Sequence, residues 1–110
     1  MAVGDRTESR LVGPVTLTAS DAGVGSAVPA NRVWVLKQVV FCNTTGAERL
    51  VYLGVGSGTA NRVIHALPVA QFDTVVWDTA LVLAAGEQLY GYSDSGSAVN
   101  VVVMGWSKEV

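Results

Sequence analysis

Arg32-Val33-Trp34-Val35-Leu36-Lys37-Gln38-Val39-Val40-Phe41-Cys42 is the stretch on which the reading of the fold turns. Strict alternation puts Val33, Val35, Lys37, Val39 and Phe41 on one side and Trp34, Leu36, Gln38, Val40 and Cys42 on the other. Both sides are mainly apolar. That pattern predicts a central strand covered on two faces, since a strand with one wet face shows polar residues at every second position.

Working outward, Asn43-Thr44-Thr45-Gly46-Ala47 is a cluster of turn formers, and residues 49–55 return as a strand, which makes this pair the clearest hairpin in the chain. Residues 54–59 break the chain again. Residues 62–69 contain Pro68, which cannot donate to a ladder, so they read as an edge strand or as a strand ending at that proline. Residues 74–77 and 81–84 are short strands around Asp78-Thr79, and a turn at Ala85-Gly86 leads into a strand over 88–92. After the loop 93–97 comes a last strand over 99–106. Upstream, Val15-Thr16-Leu17-Thr18-Ala19 alternates strictly, with Val15, Leu17 and Ala19 on one face, and 20–30 is a loop. Only residues 80–85 could be helical.

No segment offers the ten or so helical residues that a crossover between parallel strands needs. The expectation is an all-β fold: an antiparallel β-sandwich, jelly-roll-like, of about eight short strands. Residues 1–13, which carry Asp5, Arg6, Glu8 and Arg10, are expected to form a polar N-terminal arm, with residues 14–110 as the sandwich domain. One internal echo stands out, because Gly-Ser loops at 23–31 and 54–61 each end in Asn-Arg-Val and feed a strand. Two copies do not make a solenoid.

The chain has 110 residues, suited to one core, and one cysteine, so no disulfide can form within it. Cys42 reads as a small buried hydrophobe. Hydrophobic residues make up 50% and charged residues only 15%, against roughly 25% in an average soluble domain. So few charges poorly cover a free monomer. An interface with copies of itself or with a larger assembly would account for them.

The net charge of -2 argues against nucleic acid as a partner, since phosphate binding rests on clustered Lys and Arg. Residues 1–62 hold six basic against four acidic side chains, and residues 63–110 hold one against five, a bias that could orient neighbouring subunits. The polar residues 1–13 lack the apolar stretch of a signal peptide, and no apolar run is long enough to cross a bilayer, so neither export by that route nor a membrane partner is expected.

Catalytic constellations are missing from the sequence. His65 is the single histidine, which rules out a histidine metal cluster, and no G-x-S-x-G elbow accompanies it. Gly54-Val55-Gly56-Ser57-Gly58 lacks both the third glycine of a dinucleotide fingerprint and the lysine of a phosphate loop. Asp94-Ser95-Gly96-Ser97 is too poor in acids for a calcium loop. Asn43-Thr44-Thr45 fits the glycosylation pattern without a secretion signal to give it meaning. The expectation is therefore a protein that is not an enzyme, with no cofactor and no metal. Trp34, Trp77, Trp106, Tyr52, Tyr90 and Tyr92 are the remaining candidates for recognition, read first as core or interface. Tyr90 and Tyr92 share one strand face and form the candidate ligand-binding pair.

The strand ending Cys42-Asn43-Thr44-Thr45-Gly46, the return over 50–55, Trp77, and Leu83-Ala84-Ala85-Gly86-Glu87-Gln88-Leu89 followed by 99–105 resemble small β-sandwich structural proteins of tailed bacteriophages. That resemblance covers about two-thirds of the chain and rests on strand rhythm and turn chemistry. It implies a virion protein assembled in the host cytoplasm, contacting copies of itself and the major capsid protein or another virion component. Head decoration, usually trimeric in such proteins, is the first expectation. A tail or baseplate component with a carbohydrate- or receptor-binding sandwich is the alternative.

Overall fold

The computed structural model describes residues 6–109, with side-chain surroundings from Arg10 onward. Eight strands run in the order β1 (Arg6–Thr16), β2 (Ala22–Gly23), β3 (Arg32–Asn43), β4 (Arg49–Gly54), β5 (Arg62–Val69), β6 (Thr74–Leu83), β7 (Tyr90–Ser93) and β8 (Val99–Glu109). Among the described residues there is no α-helix, and the one helical turn is of the 3-10 kind at Thr59–Asn61. The strands form two four-stranded sheets ordered β1-β8-β3-β6 and β2-β7-β4-β5. β1 pairs with β8, β2 with β7, β3 with β6 and β4 with β5, all antiparallel. This is the pattern of one long hairpin rolled up on itself, so the protein is an antiparallel β-sandwich of jelly-roll-like order.

The sheets differ in length. β1, β3, β6 and β8 have 10 to 12 residues each, whereas β2 and β7 have two and four. Between the sheets lie Leu36, Val39, Phe41, Val101 and Val103 of the long sheet and Val51, Leu53, Ile64 and Val69 of the short one. Each such large side chain contributes about 1.5–3 kcal/mol on full burial. Val24, Val28 and Leu89 close one end from the loops, where Val24 N–H donates to Leu89 O at 2.8 Å and Val28 N–H to Glu87 O at 2.9 Å, while Leu17 N–H donates to Val99 O toward the other end.

Several boundaries depart from the sequence reading for identifiable reasons. β1 begins at Arg6, so residues 6–13 of the expected arm are strand, while residues 1–5 lie outside the described residues. Pairing of β1 with β8 slips between Arg10 and Val12 and again between Val12 and Val15, around Gly13 and Pro14. The expected boundary at 13/14 therefore falls on an irregularity within the strand. β1 ends at Thr16, so Leu17 is buried and Ala19 exposed. Residues 80–85 are not helical, because residues 80–83 complete β6 and Glu87 N–H donates back to Ala84 O to make a turn.

The expected faces of β3 hold only up to Lys37. Pairing with both neighbours shifts between Leu36 and Gln38, and the extra residue turns the following side chains over. The core face is thus Trp34, Leu36, Val39 and Phe41, and the outer face Val33, Val35, Val40 and Cys42. Gly105, opposite Leu36, makes this bulge possible, since a Cβ there would collide with the Val35 carbonyl oxygen. Cys42 is half-buried on the outer face, not enclosed in the core.

Candidate functional site

The outer face of the long sheet is the first candidate. Alternation in β8 sends Val99, Val101 and Val103 inward, which leaves Val102, Met104 and Trp106 pointing out beside Val35, Val40 and Cys42 of β3. β6 adds Val76, 49% exposed, and Val82, 56% exposed. Nothing among the described residues covers this apolar strip.

Polar groups gather in the middle of the strip. The Lys37 bulge opens a groove of about 480 Å³ lined by Arg10, Lys37, Gln38, Asp78, Met104 and Trp106. Lys37 Nζ lies 5.4 Å from the Trp106 ring centroid, a cation–π distance, and Gln38 Nε2 donates to Asp78 Oδ1 at 3.1 Å. The groove thus carries cations, one carboxylate and an aromatic ring.

The outer face of the short sheet is the second candidate. In β4, Val51 and Leu53 face the core, so Tyr52 faces out, directly opposite Tyr92 of β7. Their rings stack with centroids 4.4 Å apart and planes 8° from parallel. His65 of β5 meets Tyr52 edge-on at 5.1 Å. The Arg62 guanidinium lies 5.3 Å from the Tyr52 centroid and 5.2 Å from that of Tyr92, so it bridges the pair evenly.

β5 reaches this arrangement through irregularities that alternation does not show. Its pairing with β4 slips between Val51 and Leu53, where Ala66 takes a φ of 53°, and again between Leu53 and Gly54. Ile64 and Val69 therefore face the core while Val63 and His65 are exposed. Plain alternation would put His65 on one face with Val63, Leu67 and Val69, and these two bulges break that pattern by turning Val69 into the core. Gly54 pairs with both Tyr90 and Arg62, and a Cβ there would stand 2.7 Å from Asn61 O. Only glycine lets the chain fold back closely enough to set Arg62 beside the rings.

Of the residues singled out from the sequence, Tyr52, Tyr92 and His65 belong to this cluster. Tyr90 stands on the same face one pair along and makes no ring contact with the described residues. Tyr52 was among the aromatic candidates but not paired with Tyr92, although outward alternation in β4 was the signal for it, and Arg62 was missed. Trp34 is buried, Trp77 packs against the core from β6, and Trp106 lines the groove.

Residues 54–58 form a plain hairpin loop whose Gly58 N–H donates to Asp21 Oδ2 at 2.8 Å. Asn43 is buried, and its Nδ2 donates to the carbonyls of Ala47, Val69 and Ala70 at 2.8–3.2 Å. That amide ties two turns together and is inaccessible to a glycosylating enzyme. Among the described residues no three His, Cys, Asp or Glu side chains group as metal ligands would.

The sequence matches no protein-family model and no curated protein. Among solved structures, the chain is similar to a subunit of Bacillus endospore appendages, described as a family of disulfide-linked pili. The TM-score is 0.61 at 10% identity, over 99% of this chain and 92% of that one. A chain from infectious bursal disease virus, Gt strain, is matched over 96% of this chain and 30% of its own length, at 16% identity and a TM-score of 0.31. At 10% identity the appendage likeness is one of fold.

Proposed function

We propose that this chain is a non-enzymatic structural protein of a tailed-phage virion, a capsid decoration or stabilising subunit that assembles with copies of itself through the outer face of the long sheet. One observation carries this reading: the outer face of the long sheet leaves an apolar strip, with Val76 and Val82 at its exposed edge, uncovered by any described residue in a chain with 15% charged residues. Ten residues at about 3.4 Å rise across four strands at about 4.8 Å spacing make roughly 650 Å². A standard interface takes roughly 800 Å² per partner, so one face approaches the area needed for a second copy. The Arg10, Lys37 and Asp78 groups in the groove offer both signs of charge to fix the register of that copy.

The virion setting draws on the resemblance of residues 32–106 to phage β-sandwich structural proteins. The appendage subunit adds that this fold serves in a protein that assembles. Partners in this reading are further copies and a capsid or other virion protein, with neither nucleic acid nor membrane involved, and the site of assembly is the host cytoplasm. A tail component with a recognition surface is the second reading, favoured by the Tyr52–Tyr92–Arg62 cluster.

Light scattering on the purified chain is the test. The expected mass is a small multiple of one chain, reduced to a single chain by Val76→Lys. Because Val76 is half exposed in the subunit, the lysine leaves folding intact. A wild-type chain that stays monomeric at high concentration and does not bind phage particles would overturn the proposal.

A further inference from the structure

We infer that Arg62, Tyr52 and Tyr92 form a binding site for an acidic saccharide, a sugar ring bearing a carboxylate. The cluster draws its side chains from three strands, β5, β4 and β7, and all of them stand on the solvent side of the short sheet. Its cation is the telling feature. Arg62 lies against two rings and forms no ion pair with any described carboxylate. Ring contacts engage the π-cloud of a guanidinium but leave its N–H donors, which form a rigid fork matched to the two oxygens of a carboxylate.

The rings specify what should carry that carboxylate. Tyr52 has Tyr92 on one side and His65 against it, whereas Tyr92 has a single ring partner and so one face that no other ring occupies. A tyrosine presents an apolar face with a hydroxyl at its tip, and a sugar ring presents an apolar C–H face with a rim of hydroxyls. The match is face on face and rim on rim. A flat sheet surface suits such a ring, while an extended peptide would seek a sheet edge and side-chain pockets. His65, exposed beside Tyr52, adds a hydrogen-bonding group at the margin. No acidic residue belongs to the cluster, and the nearby Asp21 carboxylate already accepts from Gly58 N–H.

The site does not depend on whether the subunit sits on a head or a tail, and it lies on the sheet opposite the proposed assembly face. Calorimetric titration of the full chain tests it with two acidic probes, trigalacturonate and 3′-sialyllactose, against their uncharged counterparts, methyl-esterified trigalacturonate and lactose. At least one acidic probe is expected to bind, with its neutral counterpart about tenfold weaker or more, the loss that follows from a missing charge-assisted hydrogen bond. Which of the two binds identifies the source as a uronic-acid or a sialic-acid glycan.

Arg62→Gln should remove the preference for the acidic form. Arg62→Lys should keep part of it, because the charge stays while the fork is lost. Tyr92→Ala should weaken binding about tenfold, while Tyr92→Phe, which keeps the ring and loses only the hydroxyl, should weaken it less. Far-UV circular dichroism of each variant checks that the fold survives. Failure of both acidic probes to bind at millimolar concentration, or binding that Arg62→Gln leaves unchanged, would sink the inference. Either result leaves the light-scattering mass, and the assembly reading with it, untouched.

Discussion

The outer faces of the two sheets are both partly open to water, yet they handle their apolar surface in opposite ways. On the short sheet the large side chains turn to each other: Tyr52 stacks on Tyr92, His65 meets Tyr52 and Arg62 spans the pair. On the long sheet the valines of β3, β6 and β8 stand in a row with nothing above them. One face gathers its exposed rings and cation against each other, and the other leaves its exposed valines uncovered by any described residue. Burial alone does not reveal this difference, which lies in whether the exposed groups have partners.

The sharpest way to break that comparison is to place the same change on both faces. Val76→Lys on the long sheet and Val63→Lys on the short one start from similar exposure, 49% and 42%. The first should weaken self-association by about 3–5 kcal/mol per buried, unpaired lysine, and the second should leave the mass as it is. Light scattering over a concentration series reads both. Equal effects would remove the distinction between the faces.

Gly105→Ala comes next, because its Cβ would strike the Val35 carbonyl and force β8 away from β3 at the Lys37 bulge. A loss of about 3 kcal/mol in urea unfolding is expected, since overpacking against a backbone has little room to relax. Tyr52→Ala should cost about 1 kcal/mol through the lost cross-strand stack, with no change of mass. The smallest effect belongs to Lys37→Ala. Its exposed cation–π contact with Trp106 is worth about 0.5 kcal/mol, and thermal unfolding of the variant is expected to shift only slightly.

Much of this architecture was legible in the chain, and the parts that were not share a cause. The apolar residues of β3, the turn after Asn43 and the start of strands at Arg32 and Arg62 follow from local pattern and turn chemistry. The expected hairpin across that turn does not form, because β3 and β4 belong to different sheets, and β3 is covered on one face rather than two. The Gly-Ser echo pointed rightly to two loops feeding strands, although Asn31 adopts a φ of 65° and Asn61 closes a 3-10 turn. Bulges were the hidden element. At Lys37, at Ala66 and around Val63 an extra residue reverses the alternation, and nothing in the residue types announces it. The aromatic cluster was therefore visible in its rings, Tyr52, Tyr92 and His65, but not in its cation, since Arg62 joins it after two slips in register. Of β1 only its last residues, Val15 and Thr16, were read as strand, and its start was missed for a different reason: residues 6–10 are polar, and the partner that makes them a strand is β8, nearly the whole chain away.

That last pairing has a consequence for how the molecule is made. β8 occupies the middle of the long sheet, between β1 and β3, so the sheet cannot close until residues 99–109 have been synthesised. Until then β1 waits without its ladder and β3 exposes an apolar flank. Pairings this distant in sequence are slow to form, on the order of milliseconds to seconds in β-sandwiches. During that interval a crowded ribosome cluster brings unfinished chains together, and a neighbour's strand can fill the vacant place. Yield of the correctly closed subunit is thus expected to depend on translation speed near residue 99 more than on the final stability of the fold.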